Sequence, residues 1–323
     1  MDTDRLQGYE LNSETVKLKM INYGARTTAL QVRSHGEWRS VVLSLPEHLD
    51  YCFDTVSLGA LVGPVGGRIQ NSRCLIDQVD IHLQPNDGAH QLHGGELGLG
   101  QWYWDVEEHE QGLDFTARLP EGHGGYPAAI DLTCSVRLLE SGVSYAVEAR
   151  CTAPTLVNVT QHNYYCLGPS GSLSDHHLSL YVEDGYTVDS ERIATTTRFG
   201  LAQPELEPNS GQFVSDWLQT HRTRLSDLGG FDHYFYRSSS ALVQTDPSLI
   251  ASLSYDGLTM DLWTDQPGVQ MYTRFDEAGT LEAICLEPQI VPNAINRDCA
   301  EDTILRPGER YRWHSLLKFS DYD

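Results

Sequence analysis

The chain has 323 residues with 45 acidic against 22 basic side chains, a formal net charge of −23, and 40% hydrophobic and 21% charged residues. That balance argues against nucleic acid, whose phosphates are held by clustered Lys and Arg, and against anionic membrane surfaces, while the composition is that of a globular protein able to bury a sizeable core. No stretch approaches the roughly 18 apolar residues of a membrane span, and the opening MDTDRLQGYE lacks the basic and apolar regions of a signal peptide, so a cytoplasmic location is expected.

Taken in chain order, the predicted elements are strands. Apolar and polar residues alternate over 16–24, 27–34, 73–84, 113–119, 130–139 and 144–151, and again over 258–265 and 268–273. Gly and Pro punctuate these runs, as in a many-stranded sandwich or barrel, and long helical periodicity is hard to find. The alternation is interrupted between 190 and 230. That stretch is expected to be a long excursion from the sheet, with a short helix around 215–225, and not a domain linker. Seven Cys are scattered without a CxxC pair, which predicts reduced, packed thiols and no zinc ribbon.

Four segments differ from plain scaffold. GPVGGRIQNSR (63–73) sets Arg68 beside glycines that permit tight turns, either as a solvated hairpin or as a fork for an oxygen-rich ligand; the GK[ST] ending of a phosphate loop is absent. QPNDGAHQLHGGELGLGQW (84–102) places His93 before two glycines, so its imidazole can project into a cleft. His90 and His93 form only a weak metal signal without a third ligand. LVNVTQHNYYCLG (156–168), read as a strand, puts Asn158, Thr160, His162 and Tyr164 on one face, either solvated or lining a polar ligand. LEAICLEPQIVPNAIN (281–296) sets Glu287 in an apolar run with Cys285 and Gln289 on its face, where a carboxylate needs an ion-pair partner or a chemical task. Gln270 and Tyr272 share a face of GVQMYT, and Asp232 follows a Gly pair. This inventory suits acid–base chemistry on a carbohydrate.

The ordered motifs GGR, LHGG, N-x-T-x-H-x-Y, D-x-x-F, PG-x-Q-x-YT, LEPQ and L-x-PG, between Gly59 and Tyr311, resemble the aldose 1-epimerase (mutarotase) family. The resemblance implies an all-β fold, one large antiparallel β-sandwich of the galactose mutarotase type (a supersandwich) over residues 1–323. It replaces the two domains that length alone suggests. It also implies Glu287 as general base and His162 as general acid, with His93, Arg68, Asp232, Gln270 and Asn86 holding sugar hydroxyls. An aldose is the expected substrate, no metal or other cofactor is expected, and the chain is expected to be a monomer or homodimer.

The chain departs from the family pattern at His90, Cys166 and Asn293 and through 190–230, which leaves the sugar's identity open. The competing readings are a non-catalytic carbohydrate-binding protein on the same fold, a metal-dependent cupin-like enzyme, and a sugar-phosphate mutarotase. The last would need more cations near the motifs than Arg68 and Arg73.

Overall fold

The structure is a computed structural model and describes residues 3–169, 171–201, 211–225, 228–237 and 246–322. Its largest element is a nine-stranded antiparallel sheet running, edge to edge, through Asp105–His109, Gly112–Leu119, Ile130–Leu139, Gly142–Cys151, Tyr311–Asp321, Leu258–Thr264, Ser248–Tyr255, His177–Leu180 and Gln212–Phe213. Period-two patterning explains its buried face. Ile130, Leu132, Cys134, Val136 and Leu138 turn inward while their neighbours do not, and the register sets Cys134 opposite Val147 and Val136 opposite Tyr145, so the apolar faces of adjacent strands coincide. Burying one such aliphatic side chain is worth about 1.5–3 kcal/mol.

A six-stranded antiparallel sheet, ordered Tyr164–Tyr165, Leu281–Gln289, Gly268–Phe275, Asp232–Tyr236, Asp184–Val188 and Ala194–Arg198, shares that core. Phe235, Val269, Met271, Ile284 and Leu286 enter the same apolar cluster as the nine-stranded sheet. A meander of Gly8–Asn12, Val16–Ile21, Arg26–Ser34 and Glu37–Ser40 adds Leu18, Met20, Leu30 and Val32 to it. The result is the all-β sandwich that the alternation predicts. Among the six-stranded residues, the alternation that sends Val269 and Met271 into the core sends Gln270 and Tyr272 to the opposite face, where the site lies.

Three local expectations change. The run 73–84 is a hairpin, Arg73–Ile76 with Val79–His82, whose two turn residues Asp77 and Gln78 both have positive φ. The segment 156–168 is not one strand. Thr155–Leu156 pairs with Ile304–Leu305, Thr160–Gln161 with Leu61–Val62, and Tyr164–Tyr165 with the Leu281–Gln289 strand, because the chain passes from one partner to the next every few residues. His162 therefore lies between two-residue pairings.

The excursion at 190–230 is partly on the sheet. Ala194–Arg198 and Gln212–Phe213 are edge strands, and the expected helix runs over Val214–Thr220, burying Val214 and Trp217. Residues 202–210 and 226–227 of that excursion lie outside the described residues.

Candidate active site

Three neighbouring strands bring the polar face together. Across their antiparallel register Asp232 is opposite Tyr272 and Gln270 is opposite Glu287, so all four side chains line a cavity of about 290 Å³, a size suited to a small ligand. Two loops supply the facing wall. Arg68–Ile69 pairs with Gln91–Leu92, which seats Arg68 and His93 at the cavity. His93 takes a left-handed φ of 54°, and Gly94 follows at 85°, where an added Cβ would collide with the Gly63 carbonyl. Glycine after His93 is thus a steric necessity. The Gly67 N–H donates to His93 Nδ1 at 3.2 Å, which leaves the neutral ring's proton on Nε2 as a donor.

At the floor, His162 Nε2 stands 3.7 Å from a Glu287 carboxylate oxygen, with the two residues 5% and 2% exposed. Burial pushes the Glu287 carboxyl well above its ordinary range, the charge of Asp232 adds to that shift, and Arg68 opposes it. Burial likewise pulls His162 down to about 4. His93 is pulled well below its usual value by burial, then by His162 and Arg68. His162 Nδ1, Gln270 Oε1 and one Glu287 oxygen have no hydrogen-bond partner among the described residues. Buried polar atoms left open in one place signal a ligand that completes them.

The remaining polar groups hold one another in place. Arg68 donates from Nε to Asp87 at 2.7 Å and from Nη1 to Asp232 at 3.4 Å, and the other Asp232 oxygen accepts from Gln270 Nε2 at 2.7 Å. Behind a second wall, the fully buried Arg26 donates to Asp54 at 2.7 Å, and Asp54 accepts the Val56 and Leu58 N–H groups. That clamp, with the Tyr164 hydroxyl donating to the Val56 carbonyl at 2.7 Å, fixes the 54–57 segment along the cavity.

A family model described as aldose 1-epimerase matches residues 7–318. The chain belongs to that family. It is 29% identical to galactose mutarotase from Rattus norvegicus, over 98% of this chain and 94% of that protein, and 30% identical to galactose mutarotase from Sus scrofa with the same coverage. Aldose 1-epimerase from Escherichia coli strain K12 is 25% identical, over 93% of this chain and 91% of its own length. Among solved structures, an aldose epimerase homologue from C. elegans superposes with a TM-score of 0.86 at 23% identity, covering 98% and 100% of the two chains. Galactose 1-epimerase from Lactobacillus acidophilus superposes at 0.85 and 22%, covering 98% and 95%. These two likenesses carry the fold, a sandwich of the galactose mutarotase type.

In this aldose 1-epimerase family member, Glu287, His162, His93, Arg68, Asp232, Gln270 and Asn86 all line the one cavity. Asn86 stands apart in that its side chain closes its own loop, donating to the Leu92 carbonyl at 3.1 Å and accepting the Leu92 N–H at 2.7 Å. Asn158 is a strut, bonded both ways to the Ile290 backbone. His90 is buried outside the cavity, its Nδ1 accepting the Asn71 N–H. Arg73 pairs with Asp80 on an exposed hairpin, also outside it.

Sequence reasoning missed Asp87, Asp54 and Arg192. Asp87 sits inside the quoted QPNDG, one residue past Asn86, while Asp54 and Arg192 carry no local signal. Among the described residues no group of three or more His, Cys, Asp and Glu is placed to hold a metal, and no helix is long and apolar enough to cross a membrane.

Proposed function

We propose that the protein is an aldose 1-epimerase that interconverts the α and β anomers of a free aldose by acid/base-catalysed opening and reclosure of the ring. The observation that carries this reading is the Glu287–His162 pair, separated by 3.7 Å at the floor of a cavity walled by Arg68, Asp232, Gln270 and His93. The gap is wider than a hydrogen bond, so each group is free to reach one of the two oxygens on a sugar's anomeric carbon.

In the forward half, the Glu287 carboxylate removes the proton from the anomeric hydroxyl. The C1–ring-oxygen bond breaks as the C1 carbonyl forms, and the His162 imidazolium protonates the departing ring oxygen. Rotation about C1–C2 presents the other carbonyl face. On reclosure the neutral His162 takes back that proton and the Glu287 carboxylic acid returns its own to the carbonyl oxygen, so the two side chains end as they began.

Both half-reactions use the pair with one mobile proton, either as carboxylate and imidazolium or as two neutral groups. Burial raises Glu287 and lowers His162, which favours the neutral form that the open-chain aldehyde faces, while Arg68 and the sugar hydroxyls favour the carboxylate that begins the cycle. Arg68, Asp232, Gln270 and His93 offer donors and acceptors to the remaining hydroxyls, with Asn86 at the rim.

We also take the chain as one domain, supported by one large apolar cluster that gathers residues from Leu11 to Phe319, beside which the smaller clusters lie. A cytoplasmic location and a monomeric or homodimeric state belong to the same reading. The test is polarimetry or NMR exchange on a freshly dissolved pure anomer. Acceleration by the parent chain and its loss in a folded Glu287→Gln variant are expected, and a parent that leaves the spontaneous rate unchanged overturns the proposal.

A further inference from the structure

We propose that Arg192 contacts the substrate, donating hydrogen bonds to hydroxyls on the end of the sugar remote from C1, and so decides which aldoses the site holds. The inference rests on the anomer-interconversion reading above and adds a residue that none of the sequence motifs contains.

Arg192 stands at the tip of the hairpin between Asp184–Val188 and Ala194–Arg198, and Val188, Arg192 and Ala194 from this hairpin all line the cavity that holds Glu287 and His162. The tip is rigidly built. Asp189 Oδ1 accepts the N–H groups of Glu191 and Ile193 at 2.9 and 3.0 Å, the Asp189 N–H donates to the Ile193 carbonyl, and the Arg192 N–H donates to the Asp189 carbonyl. Arg192 itself is held at a φ of +62°, a left-handed backbone that L side chains rarely adopt. The hairpin is pinned from two sides. The Glu191 carboxylate lies 3.6 Å from His90 Nε2, and Arg297 Nη1 donates to the Ala194 and Thr195 carbonyls.

The guanidiniums around the cavity differ in one respect. Arg26 is paired with Asp54, and Arg68 with Asp87 and Asp232, whereas the side chain of Arg192 has no hydrogen-bond or ion-pair partner among the described residues. Arg192 is exposed, so its planar fork of donors stands open to solvent at the cavity wall, where it can bind oxygen.

Charge decides which kind of oxygen. Three carboxylates, Asp54, Asp87 and Asp232, stand in or against the cavity, and Arg26, Arg68 and Arg192 balance them; the Glu287–His162 pair with its one mobile proton adds nothing. A balanced cavity suits a neutral polyhydroxyl ligand and not a sugar acid or phosphate. The hairpin of Arg192 forms one edge of the six-stranded sheet, with the Asp232–Tyr236 and Gly268–Phe275 strands lying between it and the Leu281–Gln289 strand that carries Glu287. Arg192 thus belongs to the part of the cavity away from proton transfer.

The experiment measures anomerisation by NMR exchange in the parent, in Arg192→Asn and in Arg192→Lys. The sugars are glucose, galactose, their 4-deoxy and 6-deoxy analogues, and the pentoses xylose and arabinose, which lack the C6 group. Asn accepts a left-handed backbone, and melting temperatures matching the parent's establish that the hairpin persists. For the preferred hexose, Arg192→Asn is expected to raise KM about tenfold with kcat within about twofold and the pH profile unchanged, and Arg192→Lys to recover part of the loss.

The penalty is expected to shrink to about twofold or less for an analogue lacking the contacted hydroxyl. KM values within about twofold of the parent's on every sugar, a fall in kcat alone, or an equal penalty on every analogue would each overturn the proposal. A parent that anomerises none of these sugars overturns the functional reading itself, so the two failures are distinguishable.

Discussion

The imidazole of His93 meets that of His162 edge-on, with ring centroids 5.1 Å apart and planes at 85°. The two rings are held differently. His162 stacks on Tyr164 at 5.0 Å, and its backbone is tied at both ends, the N–H donating to the Ala60 carbonyl and the carbonyl accepting the Gly59 N–H. It is a rigid mount although it lies between short pairings and not within one strand. His93 spends Nδ1 on the Gly67 N–H and keeps a single outward donor. The proposed mechanism therefore assigns proton transfer to the ring oxygen to His162 and hydroxyl binding to His93. His162→Asn is expected to lower kcat by about a hundredfold with little change in KM, and His93→Asn to raise KM at least as much as it lowers kcat. Steady-state kinetics on one sugar with folded variants checks this, and the opposite pattern exchanges the roles.

In the proposed mechanism the Glu287–His162 pair also sets the pH dependence. Its working form carries one proton. A second proton arrives as the pH falls through about 4, the burial-lowered value of His162, and the one proton is lost only above the raised value of Glu287. The kcat profile is expected to fall on the acid side near pH 4 and on the alkaline side at a pH above the ordinary glutamate range. Glu287→Gln removes the base and is expected to cost about a hundredfold or more. An acid-side break near the unperturbed histidine value of about 6.5, in place of one near 4, would contradict the burial argument.

The chain of contacts Asp87–Arg68–Asp232–Gln270 makes a graded prediction. Arg68→Ala and Asp232→Ala each remove a group that faces the cavity and leave its partners unpaired, so KM should rise about tenfold or more. Asp87→Asn leaves the guanidinium present and less firmly held, and a smaller rise is expected. Equal KM values in all three variants and the parent would place sugar binding elsewhere in the cavity.

Stability should fall in mild acid. His162, His176 and His233 are buried, and burial lowers each to about 4. His176 accepts the Leu167 N–H at Nε2 and donates from Nδ1 to the Ser172 carbonyl, a pattern that only the neutral ring satisfies. An unfolded histidine takes its proton near 6.5, so between there and about 4 the unfolded chain binds more protons and folding stability drops as the pH falls, by at most about 3 kcal/mol for each histidine. Glu287, Asp265 and Asp302, raised by burial, act in the opposite sense. The urea midpoint is expected to be lower at about pH 5 than at about pH 7, and a midpoint unchanged between them would count against neutral buried histidines.

The fold was legible where one rule governs a whole element. Over 130–139 and 258–264 alternation alone separates buried from outward side chains, because a strand repeats every two residues whatever it pairs with. Glu287 was legible for a related reason, since a lone carboxylate in an apolar run is costly unless it has a partner or a task. The motif order from GGR to LEPQ carried the family and, with it, the residues expected at the site.

Other features were decided only by tertiary structure. The segment 155–165 alternates like a strand, yet it is divided among three partners that lie far away in the chain. Asn86 lies in the right loop with its amide turned back on Leu92, while its neighbour Asp87 orients Arg68. Arg73 and Arg192 look alike as isolated cations, and the fold puts the first on an exposed hairpin and the second at the cavity wall. Strand periodicity and residue type are local properties, readable along the chain. Which polar atoms end up facing one another depends on register and on contacts between residues more than a hundred positions apart, and there the energy of pairing charges and filling space exists only once the sheets have closed on each other.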